Sequence, residues 1–305
     1  MKHTLKITLF LVALFFITQL IGLATVNKHI QVTKSENGTI EVVHPDTVIG
    51  EAPKVENKSS SFIYIVLGVL LGTALLFLFI KLDIKSIWKY WFLFSVFITL
   101  AVSFGVYLNS YIAIAAAIAL GWWKVYRPNV FVHNLTEIFI YTGIALIFVP
   151  ILNLLSASIM LLLISLYDMF AVWKSKHMVT LAKFQTDSKV FAGLFIPYGK
   201  GGRKVAMPRK TATPAMPKDD RARNAILGGG DIAFPLLFAS AAMEHLILVD
   251  KMGKAAALGM SGIIAVTASI ALFWLLVAAK EDRFYPAMPF ISIGCFIGYG
   301  IVWLL

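Results

Sequence analysis

Two aspartates fall inside stretches that are apolar enough to cross a lipid bilayer. Asp168 and Asp231 are the exceptions among sixteen acidic residues, because the other fourteen lie in loops or close to the ends of such stretches. An ionisable side chain at bilayer depth costs at least about 2.5–3.5 kcal/mol. Two such side chains on consecutive spans therefore indicate a chemical function.

The depths of the two aspartates in the bilayer are expected to be similar. Asp168 lies five residues before Trp173, where the chain becomes basic, and Asp231 lies eight residues after Arg223, where it becomes apolar again. At about 1.5 Å of rise per residue, these separations place the two aspartates roughly 7 and 12 Å from one membrane surface. Because consecutive spans run antiparallel, the two carboxyl groups can meet in one layer.

Three glycines, Gly228, Gly229 and Gly230, directly precede Asp231. Small residues let membrane helices approach closely, and each glycine also weakens a helix by about 1 kcal/mol. Backbone groups that are freed there are tolerable only where protein or water satisfies them. We therefore expect a close helix approach beside Asp231, and a water-accessible cavity that Tyr167, Ser165 and the glycines would line.

Two carboxyl groups in one site of low dielectric constant cannot both ionise easily, so they share a proton. One carboxylate can then take a proton from water while the protonated partner donates to a carbonyl oxygen, as in aspartic proteases. A proton relay or a transport site would use the same two acids, and these residues alone leave both interpretations open. A salt bridge to a buried base is not expected, since no Lys or Arg lies deep in any predicted span.

Composition excludes an ordinary soluble protein. Of the 305 residues, 59% are hydrophobic and 14% are charged, whereas soluble domains have roughly 45–50% and about 25%. The single cysteine, Cys295, excludes an internal disulfide and a cysteine metal cluster.

Apolar stretches of about 20 residues predict an all-α membrane protein with nine transmembrane helices, of which the fourth is short. The predicted spans are roughly 5–25, 61–80, 90–108, 110–123, 129–149, 151–172, 224–248, 255–279 and 284–305.

Positive charge falls on alternate loops, which is typical of the cytoplasmic side of a membrane protein. The segment 26–60 is net negative, whereas 173–223 holds twelve Lys and Arg against three aspartates. With nine spans, this pattern predicts a cytoplasmic N-terminus and a C-terminus outside. The basic loop then divides the chain into an N-terminal six-helix part (1–172), a cytoplasmic loop (173–223) and a C-terminal three-helix part (224–305).

Three short motifs stand in register with the predicted spans. They are Tyr167-Asp168 in the sixth span, Gly228-Gly229-Gly230-Asp231 at the start of the seventh and Pro286-Ala287-Met288 at the start of the ninth. Together they resemble the presenilin and signal-peptide-peptidase family of intramembrane aspartyl proteases. That family carries Tyr-Asp, Gly-x-Gly-Asp and Pro-Ala-Leu in these same spans. The order of the motifs, their span assignment and the nine-span count all match the family.

The resemblance implies an intramembrane aspartic endopeptidase that hydrolyses peptide bonds of transmembrane segments. It implies that Asp168 and Asp231 are the catalytic pair and that no metal or cofactor takes part. The neighbouring motif residues are implied to bind substrate or to shape the site: Tyr167, Gly228, Gly229, Gly230, Pro286, Ala287 and Met288. Met288 replaces the family's Leu, and because it is apolar and similar in volume its packing role is expected to survive.

The resemblance also implies partners and a location. The partners would be transmembrane-helix proteins within the lipid bilayer, and nucleic acid is not expected. The run Lys176-His177-Met178, which follows the first aspartate, looks like the archaeal presenilin homologues. This implies a multi-pass protein of a prokaryotic plasma membrane. Presenilins have a cytoplasmic N-terminus and signal peptide peptidases are inverted, so the charge pattern favours the presenilin orientation.

A transmembrane helix must unwind locally before water and acid can reach its peptide bonds. An exposed strand edge could hold the unwound segment by strand addition, and the family's substrate-bound form implies something similar. The candidates for such an edge are the apolar run 190–197 and the residues that enter the seventh span. The run is too short to cross a bilayer, so it is expected either to pack on the membrane face or to form a strand.

Several other polar residues are interpreted as interfacial or loop residues. His133 and Glu137 begin the fifth span, Glu244 and His245 end the seventh, and His177 falls in the basic loop.

Three alternative functions remain: a proton-coupled transporter that uses the same two acids, a prepilin-type peptidase, and a non-catalytic membrane scaffold. The absence of a visible internal repeat counts against the transporter, since many transporters are built from matched halves.

Overall fold

The computed structural model describes residues 4–34, 40–55, 57–82, 84–175, 190–198, 223–279 and 285–305. These residues form nine α helices and two pairs of short antiparallel strands. The helices are α1 Leu5–His29, α2 Ser61–Lys81, α3 Lys85–Gly105, α4 Ser110–Tyr126, α5 Val130–Phe148, α6 Leu154–Phe170, α7 Gly229–Leu248, α8 Lys254–Ala278 and α9 Met288–Leu304. The strands are β1 Gln31–Lys34, β2 Ile40–Val43, β3 Gly193–Tyr198 and β4 Arg223–Gly228.

Each predicted span corresponds to one helix in the described part of the chain. Seven of these helices are long and apolar enough to cross a membrane, and the other two, α4 and α9, are apolar and have 17 residues each. The expected all-α class is wrong in one respect, because the mostly helical fold also contains two small sheets. The seventh helix begins at residue 229 and not at 224, because residues 223–228 pair as a strand with 193–198.

The break between the fifth and sixth spans positions α6. Pro150 lies in a 3-10 turn, Val149–Ile151, that directly follows α5, because proline cannot continue the hydrogen-bond ladder of an α helix. Asn153 then caps α6, and its side chain accepts the backbone N–H of Ser156 at 2.8 Å. α6 continues past its last α-helical residue as a π-helical turn, Ala171–Ser175.

α7 is the central helix of the bundle and is buried along most of its length against α1, α5, α6, α8 and α9. Pro235 lies inside it and therefore cannot donate a helical hydrogen bond to the carbonyl of Asp231. The buried Gln19 of α1 donates from Nε2 to the carbonyl oxygen of Ile232 at 2.9 Å. α1 thus supports the first turns of α7, which carry Asp231.

A small sheet joins the basic-loop region to the start of α7. β3 pairs antiparallel with β4, and Gly193 stands opposite Gly228. One face of the sheet enters the main hydrophobic core, beside α1, α5 and α7. The buried side chains on this face are Leu194, Ile196, Ala225 and Leu227. The apolar run 190–197 therefore lies largely in a strand, one of the two outcomes that its length and composition allowed.

Replacing Gly193 by alanine is expected to destabilise the protein by about 1–3 kcal/mol. Gly193 has a φ of +142°, and a Cβ there would overlap the carbonyl oxygen of Leu227. Thermal unfolding in detergent measures the effect. Gly259→Ala on α8 is the control, because a Cβ at that position meets no atom within 4 Å. Equal unfolding temperatures for the two variants would contradict the strand pairing described above.

Candidate active site

Asp168 lies in the last turn of α6 and faces the start of α9. The backbone N–H of Met288 donates to Asp168 Oδ2 at 3.1 Å, and the N–H of Ala287 also bonds to this carboxylate. One turn earlier on α6, the hydroxyl of Ser165 lies 2.8 Å from the hydroxyl of Ser292 on α9. The Tyr-Asp motif and the Pro-Ala-Met motif, 120 residues apart in sequence, are therefore in direct contact.

Asp231 lies in the first turn of α7, and its carboxyl group bends back towards the glycines. The backbone N–H of Gly228 bonds to this carboxyl group, and a Cβ at Gly228 would lie 3.1 Å from Asp231 Oδ2. A carboxylate is favoured at a helix N-terminus, where unpaired N–H groups point outwards. The carboxyl groups of Asp231 and Asp168 are close enough for their charges to interact.

The three glycines differ in how tightly their surroundings are packed. A Cβ at Gly229 would lie 2.8 Å from the hydroxyl oxygen of Tyr141, which is closer than real Cβ contacts, whereas a Cβ at Gly230 would meet only the ring of Phe234 at 3.4 Å. The close approach expected from the glycine run therefore occurs at Gly229, and the neighbouring element is α5. Gly228 is also tight, because a Cβ there would lie 3.1 Å from Asp231 Oδ2, so the close packing concerns Gly228 and Gly229 and not Gly230.

The remaining predicted site residues lie around the two aspartates. Tyr167 is half-buried on α6 next to Asp168, Pro286 and Met288 are buried, and Ala287 is half-buried. These last three residues lead into α9 and form the wall that contacts Asp168. The run Lys176-His177-Met178 lies outside the described residues. Within the described ranges, no group of three or more His, Cys, Asp and Glu side chains is placed to hold a metal ion.

Tyr141 of α5 also belongs to this region, and sequence inspection missed it. It is buried, its hydroxyl lies beside Gly229, and it is close enough to Asp231 for the two groups to interact electrostatically. Its hydroxyl donates to Glu137 Oε2. The available signal was the spacing of His133, Glu137 and Tyr141, which places three polar groups on one face of a mostly apolar helix.

The expectation that His133 and Glu137 are interfacial is wrong. Their side chains are buried, with 2% and 0% of their surface exposed, and Lys124 near the end of α4 is equally buried at 2%. Lys124 Nζ lies 2.5 Å from Glu137 Oε1. A base is therefore buried within the helical bundle, contrary to expectation, and its ion-pair partner is Glu137. The tertiary packing of α4 and α5 and the backbone at Gly193 cover these groups.

Glu244 is also buried, at 3% exposure, although it lies near the end of α7. Its Oε1 lies 3.0 Å from Nε2 of His44, the residue after β2. The hairpin β1–β2 packs against α7, so Glu244 is covered by protein. His245, by contrast, is half-buried.

The geometry brings together two carboxyl groups, backbone N–H donors and the segment 228–230 that leads from β4 into α7, here called the glycine turn. Two carboxyl groups close enough to interact can share a proton, and such a pair can both accept a proton from water and donate one to a carbonyl oxygen. The backbone N–H groups of Met288 and Gly228 orient the two carboxyl groups without adding charge.

Comparison with known proteins agrees with this geometry. A family model described as signal-peptide peptidase, presenilin aspartyl protease matches residues 12–305. A presenilin family intramembrane aspartate protease solved in a C222 crystal form is 14% identical, with a TM-score of 0.54, over 96% of this chain and 94% of that one. Such a protease solved in a P2 form is 16% identical, with a TM-score of 0.57, over 96% of both chains. No curated protein matches the sequence.

The two solved structures establish the shared fold, and the family match covers nearly the whole chain. With several helices apolar enough to cross a bilayer, the chain is an integral membrane protein. It belongs to the signal-peptide peptidase, presenilin aspartyl protease family and is an aspartic endopeptidase.

Proposed function

We propose that this protein hydrolyses peptide bonds within transmembrane segments, and that Asp168 and Asp231 activate one water molecule between them. The observation that carries this proposal is the convergence of the three motifs. The Met288 N–H holds Asp168, the glycine turn holds Asp231, and the two carboxyl groups are close enough to interact. A lone acid at bilayer depth would give no such arrangement.

The chemistry follows from one proton shared by two carboxyl groups. The ionised carboxyl group takes a proton from water, the water oxygen bonds to the peptide carbonyl carbon, and the protonated carboxyl group donates to the carbonyl oxygen. The carboxyl group that took the proton from water then donates it to the amine nitrogen as the C–N bond breaks. The other carboxylate takes a proton back from a hydroxyl of the tetrahedral intermediate, so the pair again holds one shared proton. One product carries a new carboxyl group and the other a new amino group, so the atoms balance with one water consumed.

Among the described residues, one edge of the β3–β4 sheet is open to an extended substrate. Asn134 of α5 accepts the backbone N–H of Phe195 at 2.9 Å and donates to its carbonyl oxygen at 2.8 Å, so side chains of α5 occupy the outer edge of β3. Neighbouring residues of a strand point their backbone groups to opposite edges. Leu194 and Ile196 of β3 therefore bond to β4, and Ile226, opposite Phe195, directs its N–H and carbonyl away from β3.

The outer edge of β4 leads directly to the aspartate pair. Ile226 is 47% exposed, β4 ends at Gly228, and Asp231 follows three residues later. A substrate segment unwound into a strand along β4 would present a peptide bond beside Asp231. We propose this edge as the substrate-binding surface, on the basis of the free backbone groups at Ile226.

Replacing Ile226 by proline is expected to lower kcat/KM for a transmembrane reporter by up to about tenfold, because one backbone hydrogen bond to the substrate is lost, worth about 0.5–1.5 kcal/mol. The variant keeps the β3–β4 hydrogen bonds, since proline is tolerated where the N–H faces away from the sheet. Ile226→Ala is the matched control, because it removes the exposed side chain but keeps the N–H. Equal rates for the proline and alanine variants would exclude strand addition at this edge.

We further propose nine spans with a cytoplasmic N-terminus and a C-terminus outside, in a prokaryotic plasma membrane. The alternation of basic loops supports this orientation, and the apolar composition of all nine helices supports the span count. In this topology the aspartate pair lies nearer the cytoplasmic surface. The division into a six-helix part (1–172), a cytoplasmic loop (173–223) and a three-helix part (224–305) stays a prediction of the charge pattern.

Cleavage in proteoliposomes tests the proposed function. The purified chain is reconstituted with a single-span reporter protein, and the products are identified by mass spectrometry. The proposal expects new termini within the apolar span of the reporter. Cleavage confined to water-exposed segments, or proton flux through the liposome membrane without any cleavage, would contradict it.

A further inference from the structure

A buried ionic cluster lies next to the aspartate pair, and the proposed reaction does not use it. We call Lys124, His133, Glu137 and Tyr141 the Glu137 cluster. All four side chains are at least 98% buried. Polar and charged groups inside membrane-embedded helices are costly, and they mark functional positions more often than stabilising ones.

The ammonium group of Lys124 determines which ring nitrogen of His133 carries the hydrogen. Lys124 Nζ donates to Glu137 Oε1 at 2.5 Å and lies 3.1 Å from His133 Nδ1. Since an ammonium group can only donate, Nδ1 of the imidazole is the acceptor. His133 is therefore neutral with its hydrogen on Nε2, and it donates to the carbonyl oxygen of Gly193 at 2.8 Å.

The second oxygen of Glu137 reaches both the sheet and the tyrosine. Glu137 Oε2 accepts the backbone N–H of Gly193 at 3.1 Å and also the hydroxyl of Tyr141. Both backbone groups of Gly193 are thus held by the cluster, one directly by Glu137 and the other through His133. Gly193 stands opposite Gly228, the last residue of β4.

The cluster approaches the glycine turn from two sides. Through Gly193 it fixes the strand that pairs with Gly228, and through the hydroxyl of Tyr141 it contacts Gly229, where a Cβ would lie only 2.8 Å away. Asp231 follows Gly229 by two residues. A shift of the Glu137 carboxylate would therefore move the backbone that sets the position of Asp231.

We propose that Glu137 is a positioning residue for peptide hydrolysis: its carboxylate fixes β3 and the glycine turn so that Asp231 meets Asp168. This inference rests on the proposed function and adds a group that does not touch the reacting atoms. It requires kcat to depend on the cluster more strongly than substrate affinity does, because Asn134, which is not part of the cluster, still holds Phe195 opposite Ile226 on the substrate-binding edge.

Two variants test the proposal without leaving an isolated buried charge. Tyr141→Phe removes only the hydroxyl that links Glu137 to Gly229. The double variant Lys124→Met with Glu137→Gln removes both charges together and keeps similar volumes. For each variant, kcat and KM are measured with the transmembrane reporter in detergent, on protein whose cooperative thermal unfolding shows that it is folded.

We expect kcat to fall about ten- to a hundredfold in both variants, as small displacements of reacting groups do, and KM to stay within about twofold. Glu244→Gln is the matched control, because Glu244 is another buried carboxylate of the same protein, paired with His44 at the far end of α7. It is expected to lower the unfolding temperature and to leave kcat within about twofold.

The inference is overturned if folded Tyr141→Phe and the double variant keep the native kcat, or if Glu244→Gln lowers kcat as much as they do. The second result would reduce the cluster to a general contribution to stability. A native chain that fails to cleave the reporter would instead refute the proposed function. The two failures are therefore separable, because the inference alone fails only when the native chain cleaves.

Discussion

Replacing Asp231 by asparagine is expected to lower cleavage of a transmembrane reporter by at least about 10²–10⁴-fold, the range that a lost general acid or base produces. The same loss is expected for Asp168→Asn. An amide can neither take a proton from water nor hold the shared proton of the pair, so each substitution removes the chemistry of both groups. The hydrogen bonds from the backbone N–H groups of Met288 and Gly228 can still be accepted by the amide oxygen.

The folded state is expected to survive these two substitutions. Removing an ionisable group from an apolar interior relieves the cost of burying it, so the unfolding temperatures in detergent should stay native or rise. Asp250→Asn is the matched control, because Asp250 is exposed beyond the far end of α7, and its activity should be native. Retention of more than about a tenth of the native rate in either active-site variant would exclude a mechanism that needs both carboxyl groups.

Replacing Lys124 alone by methionine is expected to destabilise the protein by about 3–5 kcal/mol, since it leaves the carboxylate of Glu137 buried without its cation. Adding Glu137→Gln should recover most of this loss, because no buried charge then remains unpaired. Chemical unfolding in detergent measures both variants, and the coupling between them follows from a double-mutant cycle.

Lys54→Met provides the control for the lysine substitution. Lys54 is exposed, so its replacement should change the stability by less than about 0.5 kcal/mol. If Lys124→Met were as mild as Lys54→Met, or if the second substitution recovered nothing, then Lys124 and Glu137 would not form the buried pair described above. Stability and catalysis are thus tested separately at this cluster. The double variant Lys124→Met with Glu137→Gln is expected to recover most of the stability, whereas its kcat is expected to stay low.

The helices and the depths of the two aspartates could be predicted from sequence because both depend on properties that are local in the chain. The length of each apolar stretch fixes a span, and the spacing of Asp168 and Asp231 from the basic segment fixes their depth. The contact between Asp168 and Met288 could be expected only from the resemblance of the three motifs to a known family, because no local property of the chain brings α6 against α9. The roles of these residues in catalysis stay predictions, which the asparagine variants address.

The start of α7 could not be predicted in the same way. Residues 224–228 continue an apolar stretch, and a helix and a short buried strand of such residues have the same pattern. What decides the outcome is pairing with residues 193–198, some thirty positions earlier, together with the positive φ of Gly193 that shapes the sheet. Neither feature is visible in a local window of the sequence.

The Glu137 cluster was misinterpreted because residues near the end of a predicted span were assumed to be exposed at the membrane surface. Lys124 and His133 do lie near the ends of their helices, but neighbouring elements cover them. The better signal was the four-residue spacing of His133, Glu137 and Tyr141, since a polar stripe along an apolar helix indicates a protein-facing surface. The partner of that stripe, the backbone of Gly193, could be identified only from the folded chain.

The most direct measurement of the central claim is the affinity of a peptide inhibitor that carries a hydroxyl group on a tetrahedral carbon at the cleaved position, compared with its deoxy analogue. If the carboxyl groups of Asp168 and Asp231 hold that position together, the hydroxyl compound should bind the native chain at least about a hundredfold more tightly. This advantage should disappear in Asp168→Asn and in Asp231→Asn. Equal binding of the two compounds to the native chain, or an advantage that persists in both variants, would contradict a shared site of the two aspartates.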